Sequence, residues 1–289
     1  MLKFIRPALP VLVDAPPPGD GWIHEIKYDG YRTQVIVEDG KARIYSRRGL
    51  DWTRDYHPIA ATAETLRCSS AIIDGEVYLP DARGAADFHN LRSTISRHPE
   101  RLVFMAFDLL HLDGEDYRPR PIEDRRDRLS KLIKTVRGNN IWFSPAFEMT
   151  GAEAFAAVEK LGLEGVVSKR LGSRYKSGDA ADWLKAKTFT ISTFDLVGVD
   201  RTDKRGIPEV LLAQDGAYAG KAMLSLPAGQ RDEFWKFVHT HALPRSTIRA
   251  PGKTATWLPP GIRARVKHLR GEAQLRHASF LGIEPPDGD

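Results

Sequence analysis

The chain reads as an α+β protein, an antiparallel-sheet domain followed by a small β-barrel. Three observations predict this. Apolar residues alternate in short runs separated by Asp-Gly turns, as half-buried strands require. Helical periodicity interrupts those runs at Asp124 to Val136 and Ala152 to Leu161. After Lys187 the strands become shorter and are broken by Gly and Asp, which suits a barrel of tightly turned strands. The spacing places residues 1–189 in the first domain and 190–289 in the second.

Taken in order, Trp22 to Lys27, Tyr31 to Glu38 and Lys41 to Ser46 read as strands joined by turns at Asp29-Gly30 and Asp39-Gly40, the start of an antiparallel meander. Alternation returns at Ala71 to Leu79, Leu102 to Leu110, Gly165 to Lys169 and Trp183 to Lys187. In the second domain, strands are expected at Asp195 to Val199, Val210 to Gln214, Ala217 to Ala219 and Lys221 to Leu224. A helix at 228–241 and, beyond Trp257-Leu258-Pro259-Pro260, one last basic strand complete it.

Composition narrows the function classes. No apolar stretch is long enough for a membrane span and no signal peptide is evident, so a cytoplasmic protein with no membrane partner is expected. Cys68 is the single cysteine, which excludes an internal disulfide and a cysteine-based zinc cluster. His24, His57 and His111 are not at metal-ligand spacing and read as structural. The net charge of +5 is compatible with a polyanionic partner. Its distribution says more: Arg245, Arg249, Lys253, Arg263, Arg265, Lys267, Arg270 and Arg276 are opposed only by Glu272 between them.

The chemistry concentrates in five segments. In His24-Glu25-Ile26-Lys27-Tyr28-Asp29-Gly30-Tyr31-Arg32, a lysine stands between an acid and a tight turn; alone, this could equally be a hairpin tip. A lysine amine attacks phosphorus only when unprotonated, so it needs burial or neighbouring cations. Asp74 and Glu76, two apart on a strand, share one face and could hold a ribose hydroxyl or a metal ion. Phe107 offers a flat apolar surface for a purine. Glu164, opening a short apolar strand, suits magnesium. Lys185 and Lys187, again two apart, could bind triphosphate oxygens and bias a third lysine toward its neutral form.

In this order and spacing, the five segments resemble the covalent nucleotidyltransferase superfamily of ATP-dependent DNA ligases, RNA ligases and mRNA capping enzymes. The run from His24 to Arg32 and Arg47-Arg48-Gly49-Leu50-Asp51-Trp52-Thr53 are similar to the ligase module of bacterial non-homologous end-joining proteins, the ligase D type. The resemblance implies an adenylation (nucleotidyltransferase) domain followed by an OB-fold, and an enzyme that seals 5′-phosphate/3′-hydroxyl breaks through a lysyl-AMP intermediate. It implies Lys27 as the nucleophile, oriented by Asp29. Arg32 and Arg47 would hold the nucleotide or the 5′-phosphate, Glu76 the ribose, Phe107 the adenine, and Lys185 with Lys187 the phosphates. Glu25 would lie at the adenine edge and act largely through backbone groups. Glu164, with Asp74 as a second candidate, would serve magnesium, or manganese in its place. Arg263, Arg265, Lys267 and Arg276 would contact DNA.

The implied cofactor is ATP, and the implied partners are nicked or broken double-stranded DNA and a Ku-type end-binding protein. A nucleoid-associated monomer with no separate N-terminal DNA-binding domain is expected. Leu275 to Ile283 matches the start of the family's last motif, but Glu284-Pro285-Pro286-Asp287-Gly288-Asp289 lacks its basic ending, which leaves the efficiency of self-adenylylation open. An RNA ligase or guanylyltransferase is the alternative within the superfamily. A non-catalytic end-binding module is the alternative outside it.

Overall fold

In a computed structural model the described residues are 1–200, 207–251, 254–269, 275 and 277–284. The chain divides into two compact units, Met1–Thr188 and Phe189–Asp289.

The first unit runs β1 (Ala8–Val13), β2 (Trp22–Ile26), β3 (Tyr31–Glu38), β4 (Lys41–Ser46), α1 (His57–Ala63), β5 (Ser70–Tyr78), α2 (Phe88–Arg97), β6 (Val103–Leu112), β7 (Glu115–Asp116), α3 (Ile122–Ile133), β8 (Ile141–Phe143), α4 (Gly151–Lys160), β9 (Gly165–Arg170) and β10 (Gly178–Lys187). They form two sheets, one ordered β4-β3-β5-β6-β7 with β8 beside β6, the other β1-β10-β9-β2. Ala8 and Trp183 of one sheet pack with Ile36, Ile72 and Leu110 of the other in a shared core, so the sheets face each other across it. A larger apolar cluster on the far side of β3, β5 and β6 takes in α1 and α3 through Ile59, Ala63, Leu129 and Leu132.

The expected meander is corrected at its first turn. β2 does not pair with β3; it pairs with β9, while β3 pairs with β4 and β5. Asp29-Gly30 is therefore a passage from one sheet to the other and not a hairpin tip. Two close approaches hold that passage. A Cβ on Gly30 would lie 2.2 Å from the Val77 carbonyl oxygen, and one on Gly165 would lie 2.1 Å from that of Ala186. Lys27 N–H donates to the Gly165 carbonyl (2.9 Å), which fixes the lysine at the seam between the sheets.

Other elements differ less. β1, α1 and α2 were not expected from the sequence, because β1 carries a proline at Pro10 and the helices are short and mostly polar on one side. β10 begins five residues earlier than expected, where it pairs in parallel with β1. α4 starts at a capping box in which Thr150 and Glu153 satisfy each other's backbone amides.

The second unit contains β11 (Phe189–Asp200), β12 (Glu209–Gln214), β13 (Ala217–Leu224), α5 (Ala228–Thr240), β14 (Thr256–Trp257), β15 (Arg263–Leu269) and β16 (Ser279–Ile283). Pairing runs β12-β13-β16-β15-β11, and β11 also pairs with β12, so the five strands close into a barrel with no free edge. Leu196, Leu212, Val266 and Phe280 fill it, and Phe234 and Val238 of α5 add to that core. Ala217 to Leu224 is one strand, where the sequence suggested two divided at Gly220. Among the described residues no helix is long and apolar enough to cross a membrane.

Candidate active site

A cavity of about 180 Å³ opens between the two sheets of the first unit. Its lining includes Glu25, Lys27, Arg32, Arg47, Glu76, Phe107 and Lys185, drawn from both sheets and from the loop after β4. Segments far apart in sequence thus meet because both sheets turn their inner faces to one space.

Lys27 lies at the seam, and its Nζ donates to Glu164 Oε2 at 2.6 Å. The other oxygen of Glu164 is 3.0 Å from Lys187 Nζ, so one buried carboxylate bridges two lysines. Lys185 stands beside them, and burial lowers its pKa, helped by the charges of Lys27, Lys187 and Arg47. Glu76 faces the same group. Burial pushes its carboxyl up to about 7, against the pull of Arg32 and Lys27 and with the push of Glu164 and Asp29.

Arg32 is held as a fork. Its Nε and Nη2 each donate to Asp74 at 2.7 Å, a bidentate pair with a fully buried carboxylate. Asp74 Oδ2 also accepts from Tyr175 Oη at 2.5 Å. Both its oxygens are thereby engaged with Arg32. The Arg32 guanidinium lies 4.5 Å from the centre of the Phe107 ring, a cation–π contact.

Glu25 is 2% exposed, and its side chain is fully engaged. Ser144 Oγ donates to Oε2 at 2.8 Å, while Oε1 lies 2.7 Å from Arg126 Nη1 and 2.6 Å from Lys169 Nζ. What Glu25 can offer a purine is consequently its backbone. Lys169 is a residue that sequence reasoning left without a role. It is 1% exposed, donates to the Phe107 carbonyl at 3.1 Å, and lies 4.6 Å from the Phe107 ring and 4.4 Å from that of Trp183. Burial lowers it to about 8, against the opposing pull of Glu25. Its signal in the sequence was a charge at the end of an otherwise apolar strand. Arg126, Ser144, Tyr175 and Trp183 gave no comparable signal, since each belongs to the site only through tertiary contact.

Beneath the cavity, Asp108 and Arg125 form a pair with no exposed surface, at 2.7 and 2.8 Å. Arg125 also donates to the carbonyls of Arg120 and Ser173, which ties α3 to β6 and to the loop after β9. Among the described residues no cluster of three or more His, Cys, Asp or Glu forms a metal site.

In the second unit Arg263, Arg265 and Lys267 alternate with buried Ala264, Val266 and a half-buried His268, so all three point outward from β15. Arg263 pairs with Asp195 at 2.8 Å, and Lys267 lies 4.7 Å from the Phe189 ring on the neighbouring strand. Ile191, 52% exposed, pairs in register with Lys267 and adds apolar surface to that face. Arg276, also expected to contact DNA, lies outside the described residues.

Two facing sheets around a lysine-lined cavity, followed by a closed five-stranded barrel, are the architecture of an adenylation domain joined to an OB-fold, the framework of the covalent nucleotidyltransferases. Within that class the chain belongs to the ATP-dependent DNA ligase domain family, whose model matches residues 15–187. The multifunctional non-homologous end joining protein LigD of Pseudomonas aeruginosa is 36% identical over 199 residues, 68% of this chain and 24% of its own length. The corresponding DNA repair protein LigD of Mycobacterium tuberculosis is 30% identical over 281 residues, 91% of this chain and 36% of its own. The chain thus spans between about a quarter and a little over a third of these relatives. Among solved structures, the ligase domain of M. tuberculosis LigD matches with a TM-score of 0.61 and 27% identity, over 98% of this chain and 97% of that one. A mycobacterial DNA ligase D complexed with ATP and MES matches with a TM-score of 0.61 and 29% identity, over 96% and 94%.

Proposed function

We propose that this chain seals 5′-phosphate/3′-hydroxyl breaks in double-stranded DNA through a lysyl-AMP intermediate and serves repair by end joining. The observation that carries this reading is the cluster at the seam, where the cavity-lining Lys27 and Lys185 and the neighbouring Lys187 gather around the buried carboxylate of Glu164.

Lys27 is the nucleophile. Its Nζ bonds to the α-phosphorus of ATP as the bond from phosphorus to the bridging oxygen breaks, pyrophosphate departs and the amine gives up a proton. An ammonium has no lone pair, so Nζ must lose a proton before it attacks. Lys185 and Lys187 meet the triphosphate oxygens as charge moves onto pyrophosphate. Glu76 holds the ribose, Phe107 carries the adenine on the surface that opens into the cavity, and the backbone at Glu25 borders the base edge. Arg32 and Arg47 hold the nucleotide or the 5′-phosphate, and Asp29 orients the nucleophile. In the later steps the AMP passes to the DNA 5′-phosphate, and the 3′-hydroxyl displaces it.

A magnesium ion, or manganese, fits this donor set, because magnesium is commonly held by one or two carboxylates together with substrate phosphates and waters. Glu164 would hold it, and when bound it would supply charge neutralisation at the phosphates. Arg263, Arg265 and Lys267 supply a surface for DNA phosphates, and Arg276, outside the described residues, is assigned to the same task. The relatives named for non-homologous end joining support a Ku-type partner, and we place the chain in the cytoplasm as a nucleoid-associated monomer.

The test is intact-protein mass after incubation with ATP and magnesium, with GTP, and with Lys27→Ala, followed by sealing of a nicked duplex. An ATP-specific adduct that pyrophosphate reverses and the variant lacks is expected. A GTP adduct, or an adduct on Lys27→Ala, overturns the reading.

A further inference from the structure

We propose that Tyr175 is a positioning residue for Arg32, acting through Asp74 to set the guanidinium that faces the nucleotide cavity. No pattern in the sequence marks Tyr175, which lies between β9 and β10 in a segment rich in Ser, Arg and Lys. The structure buries it, with 6% exposed, at the centre of a closed circuit of polar contacts.

The circuit runs through the first residue of β1. Ala8 N–H donates to Tyr175 Oη at 3.0 Å. Tyr175 Oη in turn donates to Asp74 Oδ2 at 2.5 Å. Asp74 receives Nε and Nη2 of Arg32, each at 2.7 Å, and Nη2 also donates to the Ala8 carbonyl at 3.3 Å. The path therefore starts and ends on one residue, Ala8. Nε and Nη2 are thus occupied, and Nη1 has no protein partner among the described residues. Arg32 itself lines the cavity.

Two further contacts fix the phenol. Its ring stands edge-on to Trp183 at 5.9 Å and 89°, and Trp183 is a cavity wall. Its backbone N–H donates to the Arg118 carbonyl at 2.9 Å. A carboxylate pinned from one side only can swing about its last torsion. With Tyr175 Oη sharing Oδ2 with Arg32 Nη2, Asp74 is pinned by a second element as well, and a planar guanidinium bound in bidentate fashion inherits its orientation. The hydroxyl thus decides where the remaining edge of Arg32 lies, although it touches no substrate. A guanidinium held ready costs no reorganisation when phosphate charge develops against it.

This inference rests on the proposed role of Arg32 at a phosphate, and the experiment separates the two. Tyr175→Phe and Arg32→Lys are made singly and together in the full chain. Lysine keeps the charge beside Asp74 but removes the fork. Single-turnover rates of self-adenylylation and of sealing a preadenylylated nick are measured for each, with melting temperature as a control of folding. Tyr175→Phe is expected to slow the step that Arg32→Lys slows by about tenfold or more, the range for a lost hydrogen bond to a charged group. The loss is expected in kcat, with KM for ATP little changed. In the Arg32→Lys background the same change is expected to have no further effect, because there is no fork left to orient.

Additive losses in the double variant, or an unaltered rate in Tyr175→Phe, would overturn the positioning role while leaving Arg32 in place. An unaltered rate in Arg32→Lys would remove the reading of Arg32, and this proposal with it. Should Tyr175→Phe fail to fold, Asp74→Asn replaces it in the same cycle, with the same expected non-additivity.

Discussion

The cavity of the first unit and the basic face of β15 in the second use charge in opposite ways. At the cavity most charged groups are already paired, Arg32 with Asp74, Lys27 and Lys187 with Glu164, Lys169 and Arg126 with Glu25, while Arg47 in its lining is exposed. On β15 the basic side chains stand in water, and Arg263 is the one of the three with an ion-pair partner among the described residues. Buried charge is expensive to remove from water and must be compensated in place, so each group there has a fixed position. Exposed charge costs little to place and acts over a distance that salt sets. The comparison teaches that the cavity is built for geometry and the strand face for attraction.

The strongest way to break that contrast is Lys27→Ala. The adduct detected by mass is expected to vanish entirely, while binding of nicked DNA, read by fluorescence anisotropy, is retained. Loss of both together would mean that the two regions are not separable. Next is Arg125→Ala, which removes the cation paired with the buried Asp108 and leaves it the Leu109 N–H. A cost of about 3–5 kcal/mol is expected, as for other broken buried pairs, and urea unfolding measures it. A change below about 1 kcal/mol would show that water reaches the site and that the cavity floor resembles the surface.

Titration sharpens the comparison further. Burial raises Glu76 from 4.5 to about 7, so across that window the folded chain keeps a proton that the unfolded chain has released. Its contribution is fully present below about 4.5 and is lost as pH rises through about 7. Glu76→Gln has no such proton to lose. Relative to the parent it is expected to gain on the order of 2 kcal/mol in stability between roughly pH 5 and 8, from urea midpoints at the two pH values. A constant difference would place Glu76 in open water. The smallest effect is expected from Arg265→Ala or Lys267→Ala. Each should weaken nicked-duplex binding by about threefold to tenfold and lower the slope of log affinity against log salt by about one, with adenylylation unchanged. An unchanged slope would remove these residues from the DNA surface.

Particular residues show how legible each region was. β15 could be read directly: Arg263, Arg265 and Lys267 alternate with apolar residues, and a strand sends alternate residues to one side. The five segments around the cavity could be found, yet their partners could not. Asp74 offers the plainest case, since its alternation with Glu76 gave no sign that Arg32 and Tyr175 claim both its oxygens. The same holds for Lys169, a charge at a strand end whose meaning depends on Glu25 and Arg126, which lie 144 and 43 positions away in the chain.

The sequence by itself determined the α+β class, the change to a barrel after Lys187, and the residue types needed for lysine-based nucleotidyl transfer. These follow from periodicity and local chemistry, which reach only a few residues along the chain. Only the tertiary structure decided that Asp29-Gly30 crosses between sheets, that Glu164 bridges two lysines, and that Tyr175 and Ala8 close a circuit around Arg32. Each of these depends on strands paired across long separations and on buried charges that must find partners wherever the fold brings them, and neither is written in local pattern.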